Sequence, residues 1–116
     1  MILSRNVVEG GSIVIKIIFK DEAGTYYVPV ADSVSYTLYA QHANDSMWDI
    51  VNDRKDVEMP SASVIDIVLQ GQDLALLGNC TTKRRVIVEW KYLRNAEETV
   101  GREMVDFELV PLPVTA

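Results

Sequence analysis

The chain has a single cysteine, Cys80, and a single histidine, His42. One thiol excludes an intramolecular disulfide, so the fold rests on its core alone, which fits a reducing compartment or a protein that needs no bridge. One histidine without a cysteine cluster excludes the common zinc sets, and His42, at the head of the polar stretch to Ser46, reads as a solvated loop residue. No apolar run approaches the ~20 residues that cross a bilayer as a helix. Met1 to Gly11 lack a basic region, an apolar stretch and a small-residue cleavage site in succession, so cytoplasmic synthesis is expected. Positive charge is scarce, 11 Lys and Arg against 17 Asp and Glu, for a formal net charge of -6. Phosphate backbones and anionic lipid repel such a chain unless its cations cluster, so neither nucleic acid nor membrane is the expected partner. Low-complexity linkers are absent, and nothing repeats at the periods of solenoid proteins. A single domain over residues 1–116 is expected.

What the chain does have is alternation. Hydrophobic residues make up 48% and charged residues 24% of its 116 residues, the balance of an ordinary soluble domain. Ile13, Ile15, Ile17 and Phe19 share a parity against Val14, Lys16, Ile18 and Lys20. The same holds for Val34, Tyr36, Leu38 and Ala40, for Ile65, Ile67 and Leu69, for Val86, Val88, Trp90 and Tyr92, and for Val105, Phe107 and Leu109. A period of two is the spacing of side chains on a strand, and a slip of one residue would turn every such set to the opposite face.

Turn signals separate these segments. Ile2 to Val8 reads as a short edge strand, with Gly10 and Gly11 allowing a bend before the strand Ser12 to Lys20. Asp21 to Gly24 reads as a hairpin-like turn and Thr25 to Val30 as the returning strand, ended at an edge by Pro29. Ser33 to Gln41 and a short Met47 to Val51 follow. Asn52 to Asp56 is the strongest turn signal in the middle of the chain, followed by Val57-Glu58-Met59 with Pro60 ending the segment. Ser61 to Leu69 is the next strand, and Gly71 to Gly78 reads as a short crossover helix with Asp73 near its start. Thr81 to Leu93 and Thr99 to Val110 form a hairpin joined by Arg94 to Glu98, and Pro111 and Pro113 close the fold. The expected class is all-β, an immunoglobulin-like antiparallel β-sandwich of about seven to nine strands with one short crossover helix.

Signals for chemistry are sparse. Cys80 has no evident base and reads as a small half-buried thiol. Asp45, Asp49, Asp53 and Asp56, with Asn44 and Asn52, make an acidic region whose spacing is not that of an EF-hand; solvated turn residues are the reading, with a cation site as the alternative. The adjacent carboxylates Asp21-Glu22 and Glu97-Glu98 sit in turns rather than flanking a substrate. No nucleophile, base and orienter can be assembled, so no enzyme and no cofactor are expected. Lys83-Arg84-Arg85, with Lys91, Arg94 and Arg102, concentrates positive charge in the last two strands, either as gatekeepers against edge pairing or as a stripe for an acidic protein or a polynucleotide, of which the protein is the favoured partner. Trp90 is in register with Val86 and Val88 and is expected in the core, whereas Trp48 either caps the core or anchors a partner. Trp48, Tyr39, Arg84 and Arg85 are the candidate interaction surface.

The order of these features resembles a known group. Ile18-Phe19-Lys20-Asp21-Glu22-Ala23-Gly24, Val28-Pro29-Val30 and Asp32 to Leu38 are similar to the opening of small immunoglobulin-like proteins from the structural gene clusters of tailed phages and prophages. Ser63 to Leu69, Asp73-Leu74 and Arg85-Val86-Ile87-Val88 to Tyr92 agree with that pattern. Its motifs are turns and core positions, which specify a fold better than an activity. The resemblance implies a non-enzymatic virion or assembly component of the head-to-tail or tail region. Its partners would be other virion proteins or copies of itself as a homo-oligomer, and it would be assembled into a virion. The competing reading is a ligand-binding module, for carbohydrate as an example, in which Trp48, Tyr26, Tyr27 or Tyr39 form a stacking platform.

Overall fold

The structure, a computed structural model, describes residues 7–57 and 63–111. Along them run β1 (Val7–Val8), β2 (Ser12–Ile18), β3 (Ser35–His42), β4 (Trp48–Asp56), β5 (Val64–Gln70), β6 (Cys80–Arg94) and β7 (Glu97–Val110), with a 3-10 helix at Gly71–Leu74. β1, β7, β6, β3 and β4 form one sheet in that order, and β2 pairs with β5 in a second. The two inner faces meet in one hydrophobic core to which each set read from the alternation contributes: Ile13, Ile15 and Ile17 from the small sheet's first strand with Phe19 just past its end, and Val86, Val88 and Trp90 from the centre of the large one. Burying each such aliphatic side chain stabilises the fold by about 1.5–3 kcal/mol, and this shared core makes the two sheets one unit.

The pairing is mixed rather than wholly antiparallel, because β1 runs parallel to β7 through Val7↔Leu109 and Val8↔Val110. Gly10, at φ 68°, then carries the chain from the large sheet to the small one, where the Gly71 N–H donates to the Gly11 carbonyl at 3.1 Å. The 3-10 helix makes the return crossing, with Leu74 fully buried; it is shorter than the expected helix and leaves Leu76 and Leu77 exposed.

Two other expectations are corrected. Residues Thr25 to Val30 do not form a strand: only the single bridge Lys20↔Tyr26 is made. Pro29 has no N–H to give, and the Val30 N–H leaves for the Lys91 carbonyl on β6 at 2.8 Å, so no second ladder can form. Asn52 to Asp56 is not a turn but the end of β4, pairing through Leu38↔Asn52, Tyr36↔Lys55 and Ser35↔Asp56 with shifts in register. Its polar composition belongs to a bulged edge strand, where charge and irregularity discourage further pairing. Glu58 to Pro60, the start of Ser61 to Leu69, Pro113 and the first part of the expected Ile2 to Val8 strand lie outside the described residues.

β6 and β7, of 15 and 14 residues, are twice the length of the small sheet's strands. They are joined by a two-residue loop, Asn95-Ala96, with φ of 52° and 63°. Positive φ at both central residues is the type I′ requirement, which suits asparagine and penalises alanine. Ala96→Gly is expected to raise stability by about 1 kcal/mol, read as a higher denaturation midpoint with an unchanged denaturant slope.

Two side chains on the core face of β6 close the ends of the sandwich. At one end Trp90, 8% exposed, meets Phe19 edge-on at 5.0 Å and donates its indole N–H to the Tyr27 hydroxyl at 2.9 Å. Tyr27 in turn stacks on Tyr92 at 4.8 Å. Opposite Trp90 on β7 stands Gly101, the residue whose lack of a Cβ leaves room for the indole. At the other end stands Arg84.

Burial raises the phenol pKa of Tyr36 above 10.0, with Asp73 adding to the effect. It does the same for Tyr27 against the opposing hydrogen bond from Trp90. The folded chain therefore holds protons that the unfolded chain releases near pH 10. This contribution is complete below pH 10 and is lost as pH rises through the raised folded values. A calorimetric pH series is expected to show a thermal midpoint that falls from about pH 10 upward on this account.

Candidate interaction surface

Outward-facing residues of the large sheet follow from the same parity that buries Val86 and Val88. On β6 these are Arg85, Ile87 and Glu89, flanked across β7 by Asp106, Met104 and Arg102 and across β3 by Tyr39 and Thr37, while Ser35, opposite Glu89, is buried. β4 adds Ile50 beside Tyr39 and Trp48 beside Gln41. Three of the four expected surface residues, Tyr39, Trp48 and Arg85, are thereby brought onto one face.

Arg85 organises it. Its Nε and one terminal nitrogen donate to the two carboxylate oxygens of Asp106 at 2.7 and 3.0 Å, a bidentate pair that raises its pKa. The guanidinium also lies over the Trp48 ring, 4.3 Å from its centroid. Trp48 is accordingly half-buried on this face, neither inside the core nor fully exposed.

Arg84 does not join that surface. It is 0% exposed and points into the sandwich, because its parity is that of Val86, Val88 and Trp90. One terminal nitrogen donates to the carbonyls of Thr81 at 2.6 Å and Lys83 at 2.9 Å, the other to the Ala75 carbonyl at 3.1 Å, while Nε has no partner. Burial lowers its pKa, an effect that nearby Cys80 opposes. A guanidinium stays charged even so, and here the cation is held by carbonyl dipoles. Arg84 is thus a clamp on the segment from the 3-10 helix to β6.

The basic run consequently forms no stripe: Lys83 faces water, Arg84 the core, and Arg85 the outer face beside its carboxylate. The cations beyond it are paired with acids as well: Lys91 with Glu98 at 3.3 Å, Arg94 with Glu22 at 2.9 Å, and Arg102 with Glu89 at 3.5 Å. Such exposed pairs contribute little to stability, but they cancel the field that a polyanion would follow.

The acidic region is dispersed too. Asp45 accepts the Met47 N–H at 3.0 Å in the β3–β4 turn and lies 3.0 Å from His42 Nδ1. Asp49 and Asp53 are exposed along β4, and Asn52 donates to Asp73, tying the edge strand to the 3-10 helix. Among the described residues no three His, Cys, Asp or Glu side chains gather where they could hold a metal ion. Cys80 opens β6, half-buried, with Sγ 3.6 Å from Asn79 Oδ1 and 3.9 Å from Asp49 Oδ2.

The small sheet presents a second outward face. Val14↔Val68 and Ile18↔Val64 flank Lys16↔Asp66, and Val14, Ile18 and Val68 are all exposed. The alternation assigns these residues to the solvent side, and the signal of contact lies in their apolar character on both strands. No helix among the described residues is long and apolar enough to cross a membrane. No protein-family model matches the chain, and no curated protein is significantly similar to it.

Proposed function

We propose that the protein is a non-enzymatic structural or assembly component of a tailed-phage or prophage particle, in its head-to-tail or tail region, working through contacts made by an immunoglobulin-like sandwich. The sheet order supports the fold reading. The order β7-β6-β3-β4 opposite β2-β5 is compatible with strands G-F-C-C′ and B-E of an immunoglobulin variable domain, with aliphatic side chains in the inter-sheet space that a disulfide crosses in antibodies.

The observation that carries the contact reading is that both sheets turn apolar side chains outward. Val14, Ile18 and Val68 lie on one side, and Ile50, Met104, Val100 and Leu93 on the other. A small domain with large apolar side chains on two opposite faces is suited to being packed between neighbours. Three of the four aromatics offered for carbohydrate stacking already have partners within the chain: Trp48 lies against Arg85, Tyr27 against Trp90 and Tyr92, and Tyr26 against Lys20, whose ammonium lies 4.9 Å from its ring centroid. The test mixes the purified protein with the products of its neighbouring genes and follows mass by light scattering after size exclusion. A complex of defined stoichiometry is expected. A strict monomer that joins none of them contradicts the proposal.

A further inference from the structure

We infer that a second copy of this chain docks on the outer face of the large sheet, related to the first by a two-fold axis running across the strands through Met104, Ile87 and Thr37. This deepens the contact reading above and rests on it. It names the partner for that face and leaves the small sheet for others.

The argument begins with the order of charge. On β6 the outward residues run Arg85, Ile87, Glu89, and on β7, in register, Asp106, Met104, Arg102. The four charges form a checkerboard around an apolar centre, since Arg85 pairs with Asp106 and Glu89 with Arg102 in the opposite sense. A two-fold axis through the central row reverses each strand against its own copy. Arg85 then lies over the partner's Glu89, and Asp106 over the partner's Arg102. At the axis Ile87 meets the partner's Ile87, and Met104 meets the partner's Met104. Had both cations stood on one strand, the same operation would have stacked like charges. An isologous contact needs a surface complementary to itself, and these four charges with their apolar centre are.

This axis superposes β7, β6, β3 and β4 on their copies, so Tyr39 and Ile50 extend the covered face and Trp48, in the end row with Lys83, borders it. Four strands at ~4.8 Å spacing and eight residues of rise give a footprint of roughly 500 Å² in projection. Corrugation brings the buried accessible area toward, but not beyond, the ~800 Å² per partner of a standard interface. The rotation of about 30° between aligned packed sheets separates the end rows, so Lys83 and Lys91 remain at the wet rim.

Sedimentation velocity across a concentration series is expected to show a reversible dimer with a midpoint on the order of 10 µM. The decisive variant inverts all four charges, Arg85→Glu, Glu89→Arg, Arg102→Glu and Asp106→Arg, which preserves each cross-strand pair within the chain. It is expected to dimerise with itself about as well as the parent, yet to form mixed dimers with the parent at least about tenfold more weakly, as read by fluorescence energy transfer between labelled chains. Ile87→Lys is expected to leave the chain folded by circular dichroism and monomeric throughout. A parent chain that stays monomeric at several hundred micromolar, or an inverted chain that mixes freely with the parent, overturns the inference. If Ile87→Lys does not fold, the inverted chain still decides the matter. Neither result bears on whether the protein is present in particles, which is measured separately.

Discussion

Trp90→Ala is expected to lower stability by about 3–5 kcal/mol, a large part of the total for a domain of this size. The indole closes one end of the sandwich against Phe19 and holds the Tyr27 hydroxyl, so truncation opens a cavity and frees the Tyr27–Tyr92 stack that supports the long hairpin. Trp90→Phe is expected to lose less, because it keeps most of the buried area and forfeits the hydrogen bond. The complementary change, Gly101→Ala, places a methyl group where the indole lies and is expected to cost about 1–3 kcal/mol through overpacking. Denaturant unfolding monitored by tryptophan fluorescence and circular dichroism measures all three. A loss below about 1 kcal/mol for Trp90→Ala would mean that this end is not closed by the indole.

Arg84→Ala is expected to cost about 3 kcal/mol or more, which sets it apart from a surface arginine, whose removal changes stability by at most about 0.5 kcal/mol. The substitution removes a fully buried side chain and leaves the carbonyls of Thr81, Lys83 and Ala75 without that donor. Arg84→Met refills the space but supplies no donor, and Arg84→Lys supplies a charge too compact to span the Ala75 and Thr81 carbonyls, so each is expected to fall between alanine and the parent. Amide hydrogen exchange should place the loss first in the segment between the 3-10 helix and β6. Equal stability of Arg84→Ala and the parent would contradict the clamp.

Arg84 also shows where the sequence was legible and where it was misjudged. The alternation that buries Val86, Val88 and Trp90 continues back to Arg84 without interruption, so its inward direction was present in the pattern. The charge argued the other way, because arginine is almost never fully buried unless its donors find acceptors, and those acceptors are loop carbonyls that no local pattern announces. The hairpin presents a similar case. Its strands are evident in the alternation, but the turn residues point to a five-residue connection where Asn95-Ala96 alone makes the turn. With the turn placed there, counting back equally along both strands gives Arg85 opposite Asp106 and Glu89 opposite Arg102, and hence the checkerboard. β4 was misread for a different reason: propensity for turns in Asn52 to Asp56 was outweighed by pairing with β3, which tolerates polar residues and bulges at an exposed edge. The parallel β1–β7 pair was hidden because two residues carry too little periodicity to reveal a direction.

As proposed, this chain works by being built into a larger particle. Quantitative mass spectrometry of tailed particles, purified by density gradient from a host expressing the complete gene cluster, tests it most directly. The protein is expected in the particle fraction at a fixed multiple of copies per particle, with particles missing or malformed when its gene is deleted. Abundant protein in the lysate, none in the particles, and normal particles from the deletion strain would contradict it.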